Sequence, residues 1–217
     1  MHRVELLGEG SGPTRLLALG AHCDDIEIGC GGTMLRLAAE RPDLEIRWVV
    51  FASSPERAAE TRASAGDFLA GFRNWKLQVH GFRDGYLPYE GARVKDAFEA
   101  LKAEYAPNIV FTHHRDDGHQ DHRLVSELTW NTWRNHLILE YEVPKYDGDF
   151  GSPSVFAPLP AAVLERKIDL ILTHFGSQME KHWLTRDLLR SAARIRGMEC
   201  VAPEHLAEAF YARKVVF

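Results

Sequence analysis

The sequence predicts an α/β fold, a Rossmann-like open and mostly parallel sheet flanked by helices, and three observations carry that prediction. Short apolar runs at 15–20, 47–52 and 108–112 are rich in Leu, Val, Ile and Phe and end in small or polar residues, as strands buried on both faces do. Between them lie stretches with helical spacing, roughly 31–40, 56–70 and 92–105. The two alternate without an internal repeat or a low-complexity linker, the pattern of β-α-β units.

Each element has its own reason. Arg15-Leu16-Leu17-Ala18-Leu19-Gly20 reads as a core strand, and the helix expected over 31–40 follows Gly29, Gly31 and Gly32. That G-C-G-G string fits neither dinucleotide nor P-loop spacing, so its glycines are read as packing positions that let a helix approach closely. In 92–105, Val94, Ala97, Phe98 and Leu101 make one apolar face, and Pro107 closes the helix before the strand 108–112. Further on, 122–135 reads as a helix, 137–143 as a strand, 161–173 and 180–195 as helices, and Tyr211 to Phe217 as a closing strand. A chain of 217 residues suits one well-cored domain, 1–217, with a C-terminal elaboration.

Composition narrows the partners. The hydrophobic share of 45% and charged share of 26% are those of an ordinary globular protein. A net charge of −5 gives no basic footprint, which argues against nucleic acid. No apolar stretch nears the ~18 residues of a membrane helix, so no membrane insertion is expected. Met1 to Glu5 lacks the apolar core of a secretion signal. Cys23, Cys30 and Cys200 are too sparse for a disulfide framework, and a cytoplasmic setting is the simplest. A homo-oligomer stays open.

The chemistry sits just past the first strand. Ala21-His22-Cys23-Asp24-Asp25-Ile26-Glu27 packs an imidazole and three carboxylates where acidic groups are costly unless a positive charge offsets them. A second cluster, His119-Gln120-Asp121-His122, follows the strand 108–112, and ligands of open α/β sheets bind beyond the carboxyl ends of strands. If those two strands are neighbours where the strand order reverses, the clusters meet. His22, Asp25 and His122 then make a two-His, one-carboxylate metal set with an open position. Asp24 is placed to act as general base, and His119 to stabilise an oxyanion as imidazolium or to protonate a leaving amine, with Asp121 orienting it. Nitrogen and oxygen donors suit Zn2+, and Fe2+ is chemically permitted. Blander readings stand beside these. Asp24 and Asp25 also suit a capped helix start, and the histidines a solvated loop. Two other functions use the same residues: a non-haem iron oxygenase with Asp24 as ligand, and a metal-dependent carbohydrate-binding module that needs no Asp24.

The strings AHCDDIEIGCGG and HRDDGHQDHR resemble the two signature motifs of the PIG-L/LmbE-like zinc-dependent N-deacetylases, which act on N-acetylglucosamine conjugates and related amino sugars. The resemblance implies His22, Asp25 and His122 as metal ligands, Asp24 as base, His119 as oxyanion stabiliser and Asp121 as its orienting partner. It implies a small N-acetylated sugar as substrate. Arg57-Ala58-Ala59-Glu60 is similar to the family's R-x-x-E segment, whose Arg shapes the substrate pocket, and Arg83-Asp84-Gly85 to the loop carrying a substrate-contacting Asp. On the residues alone, Arg57 and Glu60 also read as a helical ion pair, and Asp84 as a turn residue. His174-Phe175-Gly176-Ser177-Gln178 and Ala207-Glu208-Ala209-Phe210 are similar to later family segments. Two departures stand out. Cys23 and Gln120 replace the prolines of the two motifs, which loosens both turns in principle and places a thiol near the metal. Selectivity is expected from the loops 83–91 and 143–159, where Tyr146, Phe150 and Phe156 suit stacking on a sugar or serve as loop anchors.

Overall fold

A computed structural model describes residues 14–215. In chain order the elements are β1 (Arg15–Gly20), α1 (Asp25–Glu40), β2 (Glu45–Ala52), α2 (Pro55–Leu69), β3 (Asn74–Phe82), α3 (Gly91–Glu104), β4 (Ile109–His113), α4 (Gln120–Thr132), β5 (Leu137–Tyr141), β6 (Val155–Pro158), α5 (Ala161–His174), α6 (Arg186–Glu199) and β7 (Ala207–Ala212). All seven strands join one sheet, in the order β3-β2-β1-β4-β5-β7-β6. The first five are parallel, and β7 runs antiparallel to both β5 and β6. The fold is therefore the expected mostly parallel α/β sheet, with its C-terminal elaboration added at one edge.

β1 shows why the sequence builds this architecture. Its residues alternate between faces: Leu16 and Ala18 enter the core beneath α1, α2, α5 and α6, while Leu17 and Leu19 enter the core beneath α3 and α4. All four are fully buried, and each such leucine contributes about 1.5–3 kcal/mol by leaving water. Because both sides are covered, the strand reads as an unbroken apolar run. β1 pairs with β2 on one flank and β4 on the other, so the strand order reverses at β1 and β4. The loops that follow these two strands consequently share one crevice.

Several boundaries differ from the sequence reading. β3 and β6 lie at the two edges of the sheet and were not expected. β3 is half-exposed throughout most of its length, so polar residues interrupt its apolar ones and no continuous run marks it. α1 begins at Asp25, not 31, because its glycines sit inside the helix. α6 begins after Thr185, whose hydroxyl accepts the Leu188 N–H, and not at 180. The closing strand is Ala207–Ala212. Of the stretch assigned to it from the sequence, 213–215 is not strand and 216–217 lie outside the described residues.

Close approach explains the glycines of α1. A Cβ on Gly29 would lie 2.1 Å from Cδ2 of the buried Tyr141 ring. One on Gly31 would meet Phe68 at 2.7 Å, and one on Gly32 would meet Leu159 at 2.5 Å. Helix propensity favours alanine over glycine by about 1 kcal/mol, whereas overpacking a tight core costs about 1–3 kcal/mol or more. The clash wins at Gly29. Gly29→Ala is expected to destabilise the protein by about 2 kcal/mol. Gly66→Ala, in α2 with nothing within 4 Å of its Cβ position, is expected to stabilise it by about 0.5–1 kcal/mol. Urea unfolding midpoints of the two variants check both signs.

Candidate metal centre

The crevice beyond β1 and β4 gathers the residues of both polar motifs. His22, Asp24, Asp25, Asp121 and His122 are all buried there, together with His113 and Asp117. Asp25 and Asp121–His122 occupy the first turns of α1 and α4. Asp24 stands at the N-cap of α1 yet makes no side-chain cap bond. Its carboxylate instead accepts from the Arg57 guanidinium at 2.7 Å, so the helix-cap reading does not account for it.

Three atoms define the centre. His22 Nδ1 lies 3.1 Å from His122 Nε2 and 3.3 Å from Asp25 Oδ2; His122 Nε2 lies 3.4 Å from the same oxygen. The far nitrogen of each ring faces a carboxylate: His22 Nε2 meets Asp84 at 3.0 Å and Asp121 at 3.3 Å, and His122 Nδ1 meets Asp117 at 3.0 Å. Those partners assign the ring protons to the far nitrogens and leave the two near nitrogens as lone pairs. Three acceptors thus converge with no donor between them. A tetrahedral zinc with bonds of about 2.0–2.1 Å spaces its ligands about 3.3–3.4 Å apart, which matches this triangle. The donor set fits a divalent ion.

Other histidine and carboxylate triplets within 4.8 Å overlap this one: His22–His119–His122, Asp25–His113–His122 and His22–Asp84–Asp121. Their remaining nitrogens are already engaged. His113 Nε2 accepts the Ala21 N–H at 2.9 Å, and His119 Nδ1 accepts the Asp121 N–H at 3.2 Å as the cap of α4. The third triplet would use the proton-bearing nitrogen of His22.

The electrostatics describe a pocket that demands positive charge. Burial would lower His22, but Asp25, Asp121 and Asp84 outweigh it and raise the imidazole well above its usual value. Burial would raise Asp25, but His122, His113 and His22 hold it well below the carboxylate range. The hydrogen bond from His22 keeps Asp84 down to about 2. Burial raises Asp24, with Arg57 opposing. Burial and the neighbouring His122 and His22 lower His119, which favours a neutral ring over the imidazolium expected from the sequence.

Comparisons with known proteins decide the family. The family model described as PIG-L, GlcNAc-PI de-N-acetylase, matches residues 17–133, more than half of the chain. The chain belongs to the PIG-L family. The "uncharacterized deacetylase YaiS" of Escherichia coli K12 is 29% identical over 182 residues, covering 78% of this chain and 95% of YaiS. The N,N′-diacetylchitobiose deacetylase of Pyrococcus horikoshii superposes with a TM-score of 0.72 at 21% identity, covering 96% of this chain and 87% of that one. GalB, the 4-carboxy-2-hydroxymuconate hydratase of Pseudomonas putida KT2440, gives 0.74 at 14% identity over 94% and 98%. The likeness to these two solved structures is one of fold. PIG-L membership supports N-deacetylation as the general class of reaction.

In this PIG-L protein the two residues that stand where the motif prolines were expected, Cys23 and Gln120, take different places. Cys23 Sγ points away from the triangle towards the Ala52 carbonyl, 3.7 Å off, and burial pushes its thiol up to about 11. Facing Ala52, the sulfur lies turned from the three converging atoms. Gln120 donates its side-chain amide to Gly85 O at 3.2 Å. Asp121 lies elsewhere than expected. Its carboxylate accepts from Gly85 N–H at 2.8 Å and Leu87 N–H at 3.2 Å and faces His22, and it makes no hydrogen bond to the His119 ring among the described residues. Arg57 pairs with Asp24 and approaches Asp84 to 3.7 Å. Glu60, instead of pairing with Arg57, accepts from the Ser177 N–H and hydroxyl at 2.8 and 2.6 Å. His174 bonds Asp67 on α2, outside the crevice. Phe156 is part of β6, and Phe150 packs under Arg196, whereas Tyr146 stands exposed beside His182 and Trp183. Among the described residues, no helix is long and apolar enough to cross a membrane.

Sequence reasoning missed His113 and Asp117. His113 closes β4 just before the second motif and Asp117 lies inside it, and neither has spacing that separates a ligand from its support. Glu27, also unassigned, is fully buried one turn from Asp24. Ser64 donates to its Oε1 at 2.7 Å, while Oε2 has no partner among the described residues. Burial raises this carboxyl to about 8. A raised folded-state pKa adds stability below the unfolded value of about 4.3 that is lost as pH climbs through the folded value. For metal-free protein, the stability of Glu27→Gln relative to wild type is therefore expected to rise between about pH 5 and pH 8. Urea unfolding of both proteins across that range checks the sign, and parallel curves would refute it.

Proposed function

We propose that this protein is a zinc-dependent hydrolase that removes the N-acetyl group from an amino sugar, releasing acetate and a free amine. The observation that carries the reading is the convergence of His22 Nδ1, His122 Nε2 and Asp25 Oδ2 on one point, with Asp24 beside it. A divalent ion held by these three, zinc by fit and ferrous iron by chemical permission, would polarise an amide carbonyl and acidify a water. Asp24 takes the proton of the attacking water. Its carboxyl is raised by burial and steadied by Arg57, so it accepts a proton nearer neutral pH and can return it to the leaving nitrogen. His119, with Nδ1 filled by a backbone N–H, carries its proton on Nε2 and donates it towards the oxyanion as a neutral ring. Asp121 holds His22 in its tautomer and fixes the loop that presents Asp84. Arg57 and Asp84 then offer charged hydrogen-bonding groups to sugar hydroxyls at the mouth of the crevice, where the Asp84 side chain is 62% exposed.

The relatives support the amide class: one carries the name deacetylase, and another is named for diacetylchitobiose, an N-acetylated sugar. The oxygenase alternative needs Asp24 as a ligand, and Asp24 is occupied by Arg57 instead. The non-catalytic module gives no reason to bury Asp24 against Asp25, where each carboxylate raises the cost of the other.

The test is acetate release from a panel of N-acetylated sugars and sugar nucleotides by metal-free protein, with and without added zinc. Wild type is expected to release acetate only with zinc. Asp24→Asn should bind zinc one to one and lose about 10²–10⁴ in kcat. His122→Ala should lose both zinc and turnover. Full activity of Asp24→Asn at saturating zinc would sink the base assignment, and zinc-independent acetate release would sink the metal reading.

A further inference from the structure

We infer that Lys145 is a positioning residue that ties the loop after β5 to the orientation of His122. The inference rests on the metal site proposed above. Lys145 lies in the connection between β5 and β6, yet its side chain is only 6% exposed. A buried ammonium is costly unless its donors are filled, and this one has three acceptors. Nζ lies 2.9 Å from Asp117 Oδ1 and 2.7 Å from Asp149 Oδ2, and donates to Val143 O at 3.3 Å.

Asp117 is the link to the centre. Its Oδ2 takes the His122 Nδ1–H at 3.0 Å, while Oδ1 accepts the His119 N–H at 2.8 Å alongside the lysine. With both oxygens engaged, the carboxylate plane is set, and with it the direction in which His122 Nε2 points. Two aspartates close the other side of the arrangement. Asp149 Oδ2 also accepts the Gly118 N–H at 2.6 Å, and the Asp147 Cβ approaches so closely that a Cβ on Gly118 would lie 2.5 Å away. The segment 145–149 is thereby pressed onto 117–118. Tyr146, the next residue, is held exposed against His182 and Trp183. One side chain therefore fixes a ligand-bearing turn and the loop packed against it.

The experiment is zinc titration of metal-free full-length protein against a competing chromophoric chelator, with thermal melting of the metal-free form and KM and kcat for acetate release beside it. Removing the support of a ligating histidine weakens metal binding about 10–100-fold. Lys145→Met is expected to raise the zinc Kd by that factor, and Lys145→Arg, which keeps the charge and donors, to restore it to within about threefold of wild type. Asp149→Asn cuts the loop arm and leaves Asp117–Lys145 in place, so it should raise KM at least about threefold while the zinc Kd stays within about twofold of wild type. A Lys145→Met protein that melts lower but binds zinc as wild type does is merely destabilised, which overturns the inference. Should Lys145→Met not fold, an unchanged KM in Asp149→Asn overturns the loop half, and an Lys145→Arg zinc Kd weakened as far as 10-fold overturns the metal half. Wild type that binds no zinc removes the metal reading itself, and the inference with it.

Discussion

Three electron-rich atoms are held between 3.1 and 3.4 Å apart with no proton between them, and the surroundings are arranged to sustain that. His22 Nδ1, His122 Nε2 and Asp25 Oδ2 would repel one another in isolation. Each is fixed by a bond on its far side: Asp121 and Asp84 behind His22, Asp117 behind His122, and the His22 backbone N–H at 2.6 Å on Asp25 Oδ2 itself. Removed from water, such a cluster lowers its energy by acquiring positive charge. The same preference shows in the imidazoles, where carboxylates outweigh burial and raise both His22 and His122. A divalent ion supplies more charge at the same point, so metal and proton compete for the site.

The parts of this arrangement legible in the sequence are those that repeat locally. β1 was marked by an unbroken apolar run because both of its faces are covered, and the two motifs follow β1 and β4 directly. Edge strands lack that signal. β3 is exposed or half-exposed along its whole length, and β6 has only four residues, so neither stands out from loop sequence. The start of α1 was obscured by Gly29, Gly31 and Gly32, whose low intrinsic helix propensity is overridden by Tyr141, Phe68 and Leu159 packing against them. Tertiary contacts were the least legible. Asp117 and Asp121 both look like motif carboxylates, and only the fold shows that one faces His122 while the other turns its carboxylate to His22 and meets His119 through its backbone N–H alone. Lys145 lies 28 residues from Asp117 with no periodicity connecting them.

Fold alone does not choose the reaction. A hydratase and a deacetylase both share this architecture at low identity, so the chemistry must be read from side chains. Here the discriminating feature is the difference between neighbouring carboxylates. Asp25 is drawn well below the usual range by three imidazoles, as suits a permanent anion facing a cation. Asp24, one residue away, is raised by burial and shares a single guanidinium. Two adjacent aspartates whose environments push them in opposite directions can divide the roles of ligand and base.

The replacement of a motif proline by Gln120 shows how rigidity is kept by other means. Proline stiffens a turn by fixing φ; at the second of the two motifs this chain stiffens the turn by tying it to neighbouring loops. Gln120 and Asp121 grip the 85–87 backbone from one side of α4, and Asp117 and Gly118 meet Lys145 and Asp149 from the other. The segments 85–87 and 145–149 are thus both anchored on the stretch that leads into His119 and His122. A turn held by neighbouring loops, and not by a proline of its own, takes its geometry from those loops, so the direction of His122 depends on contacts far from it in sequence.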